Sequence, residues 1–494
     1  MHSIQRANDY IQNNKNSVNP QYKPAYHASA EIGWINDPNG FSFYNSEFHL
    51  FYQFHPYSSK NGPMHWGHMI SKDLVRWEHL PVSLAPDRPY DLHGCFSGSA
   101  IQDGDRHILM YTGHFNPDDN DPSLIRQTQC IAIGDGVTYR KLDRNPVLDA
   151  NHLPAGASIQ DFRDPKIWKE GDTFYAVIGS RAADDSGQLL LYRSLDAEQW
   201  EYVSIMVESK SRLGKMWECP DLFQLGDRDV LIVSPQFVER EGNRYHNQHS
   251  VVYMVGSLDR ETGKFEQDAL DELDYGLDFY APQTTIDDRG RRIMIGWMQM
   301  WDRSIPSDQL GHGWSGMMTL PRVLRLEGQK LYQQPIEEIE QYRANHVSGN
   351  RRFAGEVSVP GVEGEQVEMI VRFTPIDATQ FGIKVRKGEK EETVFSYNVQ
   401  EQTFILDRSA SGYPIQPGPG EEDVRGRRQV EVQLIDGSLH VRLFLDRSSV
   451  EAFIQLGLRT MSATIFPSPA SKGIVFFADG EVEVDFNKWD LILS

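Results

Sequence analysis

Three widely separated cysteines in 494 residues leave no CxxC pair, so neither a zinc ribbon nor a disulfide framework is expected. No apolar run is long enough for a membrane-spanning helix. Basic residues are scarce as well. Lys and Arg number 49 against 70 Asp and Glu, and the net charge of −21 repels a polyanion such as nucleic acid. The opening residues, MHSIQRANDYIQNNKNSVNP, have no apolar centre of the kind a secretion signal needs. These absences predict a cytoplasmic protein that acts on a small molecule, not on nucleic acid or a membrane, as a monomer or homodimer. Aromatics, in contrast, are plentiful, with 10 Trp, 20 Tyr and 24 Phe. They suit β-sheets, and they suit the faces of sugars.

Residues 1–26 read as a short helix and an extended lead-in broken by Pro20 and Pro24. Over 27–332 one pattern recurs: a β-branched or aromatic run, a turn pair, and a second run. GFSFYNSEFHLFYQF turns at Asn45-Ser46, GSAIQDGDRHILMYTG at Asp103-Gly104, PKIWKEGDTFYAVIG at Glu170-Gly171-Asp172, DLFQLGDRDVLIVS at Gly226-Asp227, and PQTTIDDRGRRIMIGW at Asp288-Arg289-Gly290. The five hairpins start near residues 41, 98, 165, 221 and 282. That spacing accommodates one four-stranded propeller blade per unit. LYQQPIEEIEQYRANH then marks a helical or irregular linker, 333–350. Residues 351–494 alternate polar and apolar residues strictly, with turn pairs at Asp436-Gly437 and Asp479-Gly480. The predicted fold is therefore all-β: a five-bladed propeller followed by an antiparallel β-sandwich.

The hairpin register gives meaning to three acids. Asp37, Asp164 and Glu218 lie just ahead of the first strands of units one, three and four. Phe96, Ser97 and Tyr280 take similar places in units two and five. The innermost strands of a propeller share one axis, so these residues should meet at one mouth. Read singly, each acid has a plainer explanation. Asn-Asp-Pro-Asn-Gly is turn composition, Arg163-Asp164 is an ordinary ion pair, and Glu218 is one acid among 70. Read together, they suit glycosidic cleavage, in which one carboxylate attacks and a protonated one donates to the leaving oxygen. Glu218, between Trp217 and Cys219, has the apolar setting of the acid. Asp37 lies among turn amides that favour its ionised form, and Arg163 is expected to hold Asp164 charged. Cys219 reads as a small buried hydrophobe. His65 and His68 invite a metal reading, but without a third ligand they are assigned to packing or hydrogen bonding. No metal or cofactor is expected.

WINDPNG (34–40), HLFYQ (49–53), WGHMISKDLVRW (66–77), FSGSA (96–100), RDP (163–165), ECPD (218–221), DFYAPQT (278–284), GWMQMW (296–301), LPR (320–322) and SVEAF (449–453) closely resemble motifs of glycoside hydrolase family 32, in family order. That family contains invertases, levanases and sucrose-6-phosphate hydrolases. The resemblance implies a retaining β-fructofuranosidase without a cofactor. It places the nucleophile at Asp37, the transition-state stabiliser at Asp164 and the acid/base at Glu218. It implies fructosyl contacts from Trp34, Asn36, Gln53, Trp66, Phe96, Ser97, Arg163, Tyr280 and one of Trp297 or Trp301. Two alternatives stand beside it. One is another five-bladed glycosidase acting on arabinans or xylosides, against which WINDPNG and FSGSA argue. The other is a non-catalytic sugar-binding protein, against which the complete acid trio argues.

Overall fold

The computed structural model describes residues 2–493 except 211, 420 and 422–425. Helix Ile4–Asn14 opens the chain, capped by Ser3, whose hydroxyl accepts from Arg6 N at 3.2 Å. Five four-stranded antiparallel sheets follow in chain order and form the blades of a propeller. Their innermost strands are Gly33–Tyr44, Gly94–Asp103, Phe162–Glu170, Met216–Leu225 and Tyr280–Ile286. The first blade gains a short parallel strand, Trp314–Ser315, beside Gly33 and Trp34. The hairpin turns use the chemistry their sequences suggest. Asn45 and Ser46 both take positive φ (51° and 65°), the type I′ geometry that matches the twist of the flanking strands. Among the described residues no helix is long and apolar enough to cross a membrane.

The inner strands start earlier than the hairpin pattern predicts. The candidate residues therefore lie within the strands, not ahead of them. The reason is a β-bulge in every blade. Pairing skips at Asn36-Asp37, at Ser97, at Asp164-Pro165, at Cys219-Pro220 and at Ala281-Pro282. Proline has no N–H for the ladder, and a bulge is where a strand tolerates it. Asp164, Cys219 and Ala281, each preceding a proline, take φ of 64°, 46° and 49°. The same bulge thus kinks three blades at the same depth and re-aims their side chains towards the axis.

Strand Lys330–Pro335 completes the fifth blade, and a 3-10 turn, Glu337–Tyr342, leads into the 21-residue strand Arg343–Glu363. Both strands encroach on the stretch read as a linker. Ten strands then build the β-sandwich, with Arg343–Glu363 and Gly473–Leu491 running antiparallel along its length. Its core is aliphatic and aromatic, including Phe373, Phe381, Phe395, Leu443 and Phe476. Asp436-Gly437 turns as expected, with φ of 48° and 74°. Asp479-Gly480 does not turn. It lies inside Gly473–Leu491 at a bulge, where the Asp479 carboxylate accepts from the main-chain N–H groups of Thr379 and Gln380 at 2.8 and 2.9 Å. A side chain that bonds locally is equally satisfied in a bulge or a turn, and its sequence does not distinguish them.

Propeller and sandwich meet through buried charge. Arg322 donates to Asp274 at 3.0 Å and to Glu451 at 2.6 Å, and its guanidinium lies over the rings of Phe279 and Phe453. His27 bridges Asp446 at 2.8 Å and Glu451 at 2.9 Å. Burial by itself would lower the His27 pKa, but the hydrogen bonds to Asp446 and Glu451 outweigh it and raise it to about 9. A histidine raised in this way contributes its full stability below its unfolded pKa of 6.5 and loses it as pH climbs through about 9. Stability is therefore expected to fall by about 3 kcal/mol between pH 6.5 and pH 9.5. Urea midpoints across that range check this. A His27→Gln variant should start lower and lose that part of the slope.

Candidate active site

The bulges gather Asp37, Asp164 and Glu218 at one end of the propeller axis. Asp37 accepts from Ser97 Oγ at 2.6 Å and from Asn36 Nδ2 at 3.2 Å, and Asn36 is in turn held by the Trp34 indole N–H at 2.8 Å. Asp164 is fixed through its backbone, whose N–H donates to Thr112 Oγ1 at 2.9 Å. Glu218 accepts from Tyr280 OH at 2.6 Å on one oxygen and from Arg163 Nε at 2.9 Å on the other. Asp37 and Asp164 are buried. Glu218 is more open, with 15% of its side chain exposed. It is thus placed to meet a group that arrives from solvent.

Four expectations need correction. Side-chain donors, not turn amides, meet Asp37, and its carboxyl is raised. Glu218 faces a guanidinium and a hydroxyl, not an apolar setting. Arg163 does not chiefly pair with Asp164, its sequence neighbour. Its short contacts are to Glu218 and to Asp161 Oδ1 at 2.8 Å, and Asp164 Oδ2 lies 4.0 Å away. Positive φ at Asp164 turns the adjacent side chains apart. The pull of Arg163 on the Asp164 carboxyl is therefore outweighed. Burial, followed by the charge of Glu218, raises it to about 7 against the opposing effect of Arg163. Glu218 also does not share the register of the other two acids. In the X-Pro bulges it matches Arg163 and Tyr280, and Cys219 matches Asp164 and Ala281.

Cys219 is consequently the residue that sequence reasoning undervalued. Its backbone N–H donates to Asp164 Oδ2 at 3.1 Å, and its thiol lies 3.5 Å from Asp37 Oδ2 and 3.6 Å from Asp164 Oδ2. Burial, then the charges of Asp164 and Asp37, pushes the thiol pKa well up, so Cys219 stays protonated and acts as a weak donor between two acids. The recurring residue-proline pair, aligned across blades, was the signal that could have found it. Burial also governs Asp37. Together with the Glu218 charge it raises Asp37 to about 6, although Ser97, Asn36 and Cys219 all donate to it. Asp37 and Asp164, joined through the Cys219 thiol, are thus both held above the usual carboxylate range, with burial the larger cause in each.

The remaining predicted contacts form two layers. Trp34, Trp297 and Trp301 form a triangle of indoles, with ring centroids 5.9 Å apart for Trp34–Trp297, 6.0 Å for Trp34–Trp301 and 4.9 Å for Trp297–Trp301. Trp297 is fully buried, whereas Trp301 is partly exposed, so Trp301 is the indole that reaches the mouth. Trp66 is fully buried and donates to Phe96 O at 3.0 Å, and Gln53 donates to Cys95 O at 3.0 Å. Both support the strand that carries Phe96 and Ser97. Phe96 stacks on His114 at 4.1 Å beside the opening. His65 and His68 lie elsewhere. His65 Nδ1 faces Pro63 O at 3.1 Å, His68 bonds His49 at 3.0 Å, and among the described residues no cluster of His, Cys, Asp and Glu forms a metal site.

A propeller mouth lined by carboxyls and indole rings can bind a polyhydroxylated ring and protonate an oxygen attached to it. Residues 27–335 match the family model described as the Glycosyl hydrolases family 32 N-terminal domain, and residues 329–490 match the one described as Glycosyl hydrolases family 32 C terminal, so the chain belongs to glycoside hydrolase family 32. It is 37% identical over 472 residues to a sucrose-6-phosphate hydrolase of Escherichia coli, covering 94% of this chain and 93% of that protein. It is also 37% identical to a raffinose invertase of Escherichia coli, covering 92% of each. Among solved structures it resembles a family 32 β-fructofuranosidase of Bombyx mori, determined as a substituted variant in complex with sucrose. That match has a TM-score of 0.84 and 38% identity, and covers 99% of this chain and 97% of that one.

Proposed function

We propose that the protein is a retaining β-fructofuranosidase that removes terminal β-D-fructofuranosyl units from sucrose, sucrose 6-phosphate or short fructooligosaccharides. Asp37 attacks the anomeric C2. Glu218, carrying a proton, gives it to the glycosidic oxygen as the C2–O bond breaks. The resulting fructosyl ester on Asp37 is opened by a water that Glu218 deprotonates, which returns both carboxyls to their starting states. Asp164 holds ring hydroxyls as positive charge develops at C2. The observation that carries this reading is the division of partners. Asp37 has only weak or neutral donors and is buried against the mouth, as suits an attacking group. Glu218 lies between Arg163 and Tyr280 at the more open edge, where a leaving group and then a water pass. The similarity to proteins named for sucrose 6-phosphate and raffinose supports the fructosyl end of the substrate.

Two measurements test it together. NMR during sucrose hydrolysis should show fructose released first with its configuration at C2 retained. Inverted product would overturn the two-step mechanism. The profile of kcat/KM against pH should also fall on the acid side. A carboxyl raised to about 6 gains its proton as pH drops through that value, and a protonated Asp37 cannot attack.

A further inference from the structure

Phe237 is an oddity at the mouth. It is a large aromatic residue, 47% exposed, with φ of 60°, a conformation that bulky residues avoid. It is not loosely held. Lys215 N donates to Gln236 O and Val238 N donates to Gln248 O, both at 2.9 Å, which pins the main chain on either side. Its neighbour Gln236 ends the second strand of the fourth blade opposite Met216 and accepts from Arg163 Nη2 at 3.4 Å. Phe237 therefore stands on the face of the propeller where Glu218 opens.

An aromatic chain links the two. Tyr280, which donates to Glu218, meets the His249 ring edge-on at 6.1 Å, and His249 meets the Phe237 ring edge-on at 5.4 Å. The group that receives a proton from Glu218 carries the leaving sugar. That sugar must lie outward from Glu218, on the Tyr280–His249–Phe237 side. A backbone strained to present an aromatic ring there suits the apolar face of a hexose. The Lys215 ammonium lies 6.0 Å from the Phe237 ring centroid. Its side chain is 58% exposed, and its acid contact is to Asp185 at 3.5 Å. In a protein of net charge −21, this cation stands at the rim of a carboxyl-lined mouth.

We propose that Phe237 and Lys215 form the subsite for the leaving hexose, Phe237 taking the sugar face and Lys215 an anionic substituent on it. The inference rests on the fructosyl-cleaving reading above, and the choice of substrates separates the two. Wild type, Phe237→Ala, Phe237→Trp and Lys215→Met should be compared on sucrose, sucrose 6-phosphate and methyl β-D-fructofuranoside, which has no leaving sugar. Phe237→Ala should lower kcat/KM for both disaccharides about tenfold, mainly through KM, and leave the methyl fructoside unchanged. Phe237→Trp should restore the disaccharides. Lys215→Met should lower kcat/KM about tenfold for sucrose 6-phosphate alone. Equal losses on all three substrates, or none on any, would overturn the Phe237 assignment. An unchanged preference for the phosphorylated sugar in Lys215→Met would overturn the role of the lysine. A wild-type protein that cleaved no fructoside would instead overturn the function itself and this inference with it.

Discussion

Asp37→Asn is expected to lower kcat for sucrose by at least about 10^4-fold, because no other group replaces the attacking oxygen. The same variant should be at least as stable as wild type at pH 7.5. The folded protein raises the Asp37 pKa from 3.8 to about 6 through burial and the Glu218 charge. A carboxyl raised in this way costs stability when ionised. The cost is absent below the unfolded value of 3.8, grows from there to about pH 6, and levels off at about 3 kcal/mol above it. Asparagine carries no charge and can still accept from Ser97, so the cost disappears. Thermal unfolding of both proteins at pH 7.5 and pH 4.5 checks this: the variant's advantage should shrink towards the lower pH. A variant much less stable than wild type at pH 7.5 would mean that the hydrogen bonds to Asp37 outweigh its burial.

Glu218→Gln should fail differently. Loss of the proton donor and water-activating base is worth about 10²–10⁴-fold on sucrose. An activated aryl fructoside needs little protonation, so its first step should survive while water attack on the ester stays slow. A burst of aryl alcohol followed by slow turnover is the expected trace. A steady rate with no burst would remove Glu218 from the second step.

The all-β architecture was legible because its signals are local. Turn pairs such as Asn45-Ser46 and alternating strands such as VEMIVRF need only their own residues to be read. The gathering of Asp37, Asp164 and Glu218 was legible through hairpin spacing, since one blade repeats about the axis. What stayed hidden depends on side-chain direction. Whether Arg163 bonds its neighbour Asp164 or reaches Glu218, 55 residues along the chain, is decided by a positive φ that non-glycine residues rarely adopt. Cys219 looked like packing because its chemistry arises only between two acids from other blades. Two of the resembling motifs also lay far from the acids with no visible purpose. LPR and SVEAF prove to face each other: Leu320 N donates to Glu451 at 2.8 Å and Arg322 donates to the other oxygen of Glu451.

That contact leads to the largest stability change expected. Arg322 is completely buried, and its guanidinium is spread over Asp274, Gln333, Thr460, Glu451 and Ser462. Arg322→Met keeps the stem but leaves two buried carboxylates facing one less cation. Breaking a buried ion pair from one side costs about 3–5 kcal/mol, far more than an exposed pair is worth. Glu451 retains His27 and the Leu320 N–H as partners, whereas among the described residues Asp274 retains the Gly276 and Ser462 N–H groups and the Ser462 hydroxyl and no cation. Most of the loss should therefore come from Asp274. The double variant Arg322→Met with Asp274→Asn tests that, and its urea midpoint should recover part of the way to wild type. Recovery with Glu451→Gln and none with Asp274→Asn would reverse the assignment. Turnover by the fraction that remains folded should be close to wild type, because Arg322 has no contact with Asp37, Asp164 or Glu218 and acts by holding the sandwich to the blades that carry them.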